Sequence, residues 1–181
     1  KKMRYEELTI EGRNAVLEAF RAGKTIDKLF VLDGCQDGPV RSIVREAKKK
    51  DTIIQFVAKE RLDQMSETGK HQGVIAYAAA YHYAQVEEML QAAEEEGVPP
   101  FLILLDGIED PHNLGAIIRT ANLAGAHGVI IPKHRAAGLT ATVAKTSAGA
   151  LNYTPVAKVT NLGKTMEELK EKGMWFVCAD M

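Results

Sequence analysis

The residues best placed to do chemistry lie together in Leu105-Asp-Gly-Ile-Glu-Asp-Pro-His-Asn113-Leu-Gly115-Ala-Ile-Ile-Arg119-Thr-Ala-Asn122-Leu-Ala-Gly125. A helix here, at about 100° per residue, puts Leu114, Ile117, Ile118, Ala121 and Ala124 in one apolar stripe. Gly115, Arg119 and Asn122 fall on the other side, so Arg119 is expected to face solvent. A glycine one turn before an arginine lets a ligand approach the backbone beside a cation. Asn113 stands where a helix N-cap belongs, because its side-chain oxygen can accept from the free N–H groups of the first turn. The same residues also describe a capped helix with a solvated arginine.

Further cations sit at positions that could meet an anion. Lys133-His134-Arg135 follows the strand-like run 128–131 directly, and ligands of open parallel sheets lie at the carboxyl ends of strands. Lys145 lies in a small-residue helix expected over 139–148. Arg13 opens an early helix. Lys70-His71-Gln72 forms a loop that could touch RNA phosphates or base edges, although an ordinary polar turn has the same composition. The charge distribution supports an anion-facing surface. Residues 111–164 hold six Lys/Arg and no Asp or Glu, whereas residues 79–110 hold eight Asp/Glu and no Lys/Arg. The net charge of −1 excludes a protein that is basic all over, so any affinity for nucleic acid or a phosphate-bearing ligand must be local.

The elements that must position these residues alternate between the two periods. A helix near 15–20 is followed by a strand at 26–32. The helix at 40–50 carries one basic face, and a β-branched strand follows at 52–57. A short helix at 58–65 precedes a strand at 73–77. This is a compact α/β sandwich. The second half opens with an acidic helix at 86–96. A continuous apolar run at 101–105 reads as a strand buried on both faces. Strands at 128–131, 156–159 and 175–179 alternate with helices, so the sheet is expected to be mostly parallel. The domains are expected at 1–80 and 99–181, joined by a linker and acidic helix at 81–98.

No apolar run approaches the ~18 residues of a membrane span. Cys35 and Cys178 lie far apart, without metal-ligand spacing, and a reducing, cytoplasmic location is the default. The histidines show no metal spacing. The sequence holds no Gly-x-Gly-x-x-Gly, no P-loop and no Gly-x-Ser-x-Gly elbow, and Ser147 has no evident partner base.

Asp110-Pro-His-Asn113-x-Gly115-Ala-Ile-Ile-Arg119-Thr-Ala121 resembles the first motif of the SpoU family of SPOUT RNA 2′-O-methyltransferases. Thr146-Ser-Ala-Gly149-Ala150 and Asn161-Leu162 match it too. Gly12-Arg13-Asn14-Ala-Val16-Leu-Glu-Ala19 and His71-Gln72-Gly73 resemble the small substrate-binding domain of many such enzymes, itself similar to ribosomal proteins that bind kinked RNA. The resemblance covers nearly the whole chain and is nearest to the bacterial large-subunit rRNA guanosine-2′-O-methyltransferases.

That resemblance implies methyl transfer from S-adenosylmethionine to a ribose 2′-hydroxyl, in a homodimer with a knotted catalytic domain. Asn113 and Arg119 correspond to the family's active-site pair. A 2′-hydroxyl must lose its proton in the transition state. The family assigns Arg119 as the base. A guanidinium stays protonated, so a positioned cation that stabilises the 2′-oxyanion or grips the neighbouring phosphate demands less of the residue. RNA contacts are expected at Arg13, Lys70, His71, Gln72, Lys133, Arg135 and Lys145. The second and third family motifs do not occur before Met181. The fold is therefore expected to stop short of the knot, with the cofactor-binding residues beyond this sequence. The alternatives are a tRNA 2′-O-methyltransferase, an RNA-binding protein with a degenerate methyltransferase domain, and a plain α/β nucleotide-binding module; the last lacks a Gly-rich phosphate loop.

Overall fold

The computed structural model describes residues 8–179. The chain divides into two compact units: one runs to His82 and includes Gly138–Ala141, and the other takes Tyr83–Ala137 and the chain from Thr142 onward.

The first unit is a four-stranded sheet between helices. In chain order it holds β1 (Leu8–Glu11), α1 (Arg13–Arg21), β2 (Ile26–Leu32), α2 (Gly38–Lys49), β3 (Ile53–Val57), α3 (Lys59–Met65) and β4 (Val74–Ala78). The sheet order is β1-β4-β2-β3, with β2 and β3 parallel and the other pairs antiparallel. Period-2 alternation explains the layers. Leu29 and Val31 of β2, with Val74 and Ala76 of β4, pack against Val16 and Phe20 of α1 and Val40 and Ile43 of α2. Phe30 and Ile75 point the other way, onto Leu62 of α3. Strand β1 was not expected; four residues are too few for a period to show, and its order comes from pairing with β4.

The second unit holds α4 (Val86–Glu96), β5 (Leu102–Leu104), α5 (Pro111–Leu123), β6 (Gly128–Pro132), α6 (Ala141–Thr146), a 3₁₀ turn (Ala150–Asn152), β7 (Val156–Val159) and α7 (Leu162–Glu171). Its sheet is parallel throughout, in the order β5-β6-β7. Met89 of α4 and Leu169 of α7 cover Ile130 and Ala157 on one face. The acidic helix is thus packed into this unit, with its glutamates exposed and Met89 and Ala93 buried.

Three expectations are corrected. The 101–105 run is an edge strand and only half-buried; the strand buried along its length is β6, which takes the centre. Residues 175–179 form no strand among the described residues. Met174 and Phe176 touch the α4–α7 core while Trp175 and Val177 are exposed, so the alternation is real but no strand pairs with it. The N-cap of α5 is Asp110, whose Oδ1 accepts from the His112 N–H at 3.1 Å. Pro111 decides this: a proline fits the first helical position, where no N–H is needed, and holds the preceding residue extended. Asn113 therefore lies inside the first turn, exposed.

Candidate active site and RNA-contacting residues

The α5 helix is held at both ends of its buried face. Leu114, Ile118 and Ala121 are fully buried. Gly115 is buried as well, which overturns the expectation that a ligand approaches its backbone. A Cβ there would lie 1.8 Å from Thr146 Oγ1, 2.8 Å from Thr146 Cβ and 3.0 Å from the Ser147 nitrogen. The glycine lets α5 pack against the end of α6. Thr146 is itself fixed, its hydroxyl donating to the Thr142 carbonyl at 2.9 Å.

Beyond α6 the chain turns sharply, with Ala148 at φ 51° and Gly149 at φ 89°. The 3₁₀ turn that follows brings Asn152 and Tyr153 beside α5. Arg119, Asn122 and Leu123 of the helix, with residues 147–150, Asn152 and Tyr153, line an open depression of about 460 Å³. Thr154 locks the turn to the helix by donating its hydroxyl to Asn122 Oδ1 at 3.1 Å. Ser147 is fully buried, donating to the Ala144 carbonyl at 3.0 Å, and is no nucleophile. Tyr153 is 80% exposed and Leu123 81% exposed, so the rim is apolar around one arginine.

Arg119 makes no hydrogen bond or ion pair among the described residues and is exposed, as the helical period implied. Asn113 is likewise uncommitted. The two are six residues apart, about 9 Å along the axis at 1.5 Å per residue, and the structure does not bring them into contact. Asn122 shares the Arg119 face, as the helical period implied, whereas Tyr153 and Leu123 were not expected here. The only sequence signal for Tyr153 is an aromatic between Asn152 and Thr154-Pro155, which period and charge pass over.

The other cations separate into committed and open ones. Lys133, half-buried, and exposed Arg135 follow β6 at the carboxyl edge of the sheet. Arg135 reaches Asp106 at 3.9 Å, an exposed pair at the same edge. Lys145 is exposed in the last turn of α6, where a cation complements the helix dipole. Asn161 caps α7, its Oδ1 accepting from the Lys164 N–H at 2.9 Å, which accounts for that residue structurally.

In the first unit the same contrast is sharper. Arg13 is spent internally: it pairs with Asp37 at 2.6 Å, and its Nε donates to the Gln72 carbonyl at 3.0 Å. Gln72 Oε1 accepts from the Arg13 N–H at 3.1 Å, capping α1 from across the sheet. His71 is 6% exposed. Its Nδ1 accepts from the Gly73 N–H at 3.0 Å, which leaves the proton on Nε2, 2.9 Å from Asp63 Oδ1. That contact holds the Asp63 carboxyl below the usual aspartate range. Arg13, His71 and Gln72 thus set the loop, and the exposed cation it presents is Lys70.

Glu11 holds this loop's other end. Its carboxylate accepts from Ser66 Oγ (2.5 Å), the Glu67 N–H (2.6 Å) and Thr68 Oγ1 (2.7 Å). Burial alone would raise this carboxyl, but the hydrogen bonds outweigh it and hold the group below its ordinary 4.5. A depressed carboxyl stabilises fully above its unfolded value and is lost as pH falls through the folded one. Glu11→Gln is expected to speed amide exchange at Glu67 and Thr68 at neutral pH. NMR shifts of these amides should move below pH 4.5 in the wild type and stay flat in the variant; equal protection in both would show that the carboxylate does not order the loop.

Comparison with known proteins fits this arrangement. Residues 9–84 match the family described as RNA 2′-O ribose methyltransferase substrate binding, and residues 100–181 match the SpoU rRNA methylase family. YacO of Bacillus subtilis, assigned to the TrmH family of tRNA/rRNA methyltransferases, is 50% identical over 169 residues, covering 93% of this chain and 68% of that protein. A TrmH family protein of Staphylococcus haemolyticus is 45% identical over 175 residues, covering 97% of this chain and 70% of its own. Among solved structures, the SpoU methyltransferase AviRb of Streptomyces viridochromogenes in complex with AdoMet aligns with a TM-score of 0.42 at 20% identity, covering 92% of this chain and 60% of that one. The AdoMet-bound rRNA methyltransferase of Sinorhizobium meliloti gives 0.40 at 21%, covering 90% and 57%. This chain thus spans about six tenths of the length of those structures. With half its residues shared with a relative over nearly its whole length, the chain belongs to the SpoU/TrmH family of RNA methyltransferases.

Proposed function

We propose that this chain forms the substrate-binding and catalytic-helix portion of an enzyme that methylates a ribose 2′-hydroxyl of RNA, a guanosine of large-subunit rRNA in the first instance. The observation that carries the reading is Arg119: an uncommitted, exposed guanidinium at the rim of a depression, within a segment that has no carboxylate from 111 to 164. S-adenosylmethionine supplies the methyl group. The sheet's carboxyl edge carries Lys133 and Arg135, which serve as further RNA contacts. Arg119 steadies the oxyanion that forms as the 2′-hydroxyl is deprotonated, at full charge and without needing to accept the proton. Asn113, free of capping duty, is available to the ribose. The first unit binds the RNA, with Lys70 as a phosphate contact. Leu123 and Tyr153 form an apolar rim that suits a second copy of the chain, which is the homodimer reading, and the protein works in the cytoplasm.

The test is transfer of labelled methyl groups from S-adenosylmethionine to rRNA and to tRNA by the protein at the length of its relatives, with nuclease digestion to locate the modified ribose. Labelling of 2′-O-methylguanosine in large-subunit rRNA is expected. Labelling of tRNA alone would move the substrate, and labelling confined to bases would overturn the 2′-O assignment.

A further inference from the structure

We propose that the groove between α2 and the edge strand β3 binds an unpaired stretch of RNA, with a base stacked on Phe56 and the backbone held by the basic face of α2. The inference rests on the RNA reading above but concerns a face that lies apart from the Lys70 loop. Arg41, Val44, Arg45 and Lys48 recur at helical spacing, so they share one side of α2. With Lys49, Cys35 and Phe56 they line an open groove of about 620 Å³ that has no carboxylate in its lining. Phe56 shares the α2 face of the sheet with Ile54, which is packed into the core there. Phe56 is not: it is 56% exposed on a strand with no outer neighbour among the described residues.

The cations stay available to a ligand. Arg45 and Lys48 form no ion pair among the described residues and are exposed. Lys49 meets only Glu46 on its own helix at 3.0 Å, an exposed pair that contributes little. Arg41 Nε donates to the Gln36 carbonyl, which orients the guanidinium along the groove. From Arg41 to Lys48 the helix axis advances about 10 Å, the rise of about three stacked nucleotides. A basic track beside an exposed ring is the arrangement that takes single strands, because every base offers a π-face while a duplex hides it. An acidic protein segment would satisfy the cations but has no use for the ring.

The experiment measures binding of a fluorescein-labelled 12-nucleotide oligouridylate by anisotropy over a range of KCl concentrations, without cofactor, using the whole chain. Phe56→Ala is expected to weaken binding about tenfold with an unchanged salt slope, and Phe56→Trp to restore it. Arg45→Ala/Lys48→Ala is expected to lower the log–log salt slope by about 1.4, at about 0.7 for each single-strand phosphate that is no longer neutralised. All three positions are exposed, so unchanged circular dichroism is expected. A duplex of the same length should bind more weakly and ignore Phe56→Ala. The groove assignment is overturned by wild-type affinity in Phe56→Ala, by absence of oligouridylate binding, or by polyglutamate binding with the same dependence on Phe56. Because no methyl transfer is read, failure here leaves the enzymatic reading standing, and an inactive enzyme with an intact groove would separate the two in the other direction.

Discussion

Replacing Arg119 with alanine in the protein at the length of its relatives is expected to lower kcat for RNA methylation by about 10²–10³-fold, the usual cost of removing one oxyanion donor. The structure sets the terms of this test. Arg119 is exposed and makes no hydrogen bond or ion pair among the described residues, so its loss should move the melting temperature by no more than surface substitutions do, within about 0.5 kcal/mol. A fall in kcat with KM nearly constant places the guanidinium on the developing charge. A rise in KM with a shallower salt dependence places it on a neighbouring phosphate instead. Arg119→Lys keeps the charge but loses the planar fork, and is expected to recover only part of the rate. Full activity in Arg119→Ala would remove the residue from the mechanism altogether.

The second large effect is expected at Gly115, where the cost is steric. Gly115→Ala ought to gain about 1 kcal/mol of helix propensity in an unconstrained helix. Here the new methyl would meet Thr146 Oγ1 at 1.8 Å and the Ser147 backbone nitrogen at 3.0 Å. Thr146 is β-branched and stiff at χ1, and the backbone atom cannot swing aside. Overpacking of this kind costs about 1–3 kcal/mol, so the two terms oppose and the clash wins, with a drop of several degrees in melting temperature. Gly115→Val adds two further methyls and no propensity, and should be worse. Thr146→Ala in the Gly115→Ala background removes the closest atom and is expected to restore about half the loss, a coupling that a double-mutant cycle reads directly. Because residues 147–150, Asn152 and Tyr153 follow Thr146 and line the depression with Arg119, methylation should fall beyond what the lost stability accounts for. Gly128 is a control: there a Cβ meets Met89 Sδ at 2.2 Å, but a thioether chain has three rotatable bonds and can re-pack, so Gly128→Ala should cost less than Gly115→Ala.

The sequence by itself determined the alternation of helices and strands, the parallel second sheet, the outward direction of Arg119 and the carboxylate-free segment around it. Each follows from a local period or a count, although the same alternation at 175–179 forms no strand among the described residues. It also carried the motif from Asp110 to Ala121 that marks the family. What only the tertiary structure decided is which groups are free to act. Arg13, His71 and Gln72 carry the same functional groups as a nucleic-acid contact, and the fold also gives them structural partners in Asp37, Asp63, Gly73 and one another, while Lys70 faces outward. Gly115 looked like an approach for a ligand and is an approach for α6. Phe56 sits in a β-branched strand, as its run implied, but only the sheet order shows that β3 lies at the edge, where half of the aromatic residue stays in water. The physical reason is common to all three. Periodicity fixes the direction of a side chain relative to its own element, whereas hydrogen-bond satisfaction and close packing depend on residues of other elements and loops, up to about 60 positions away, which no local pattern names.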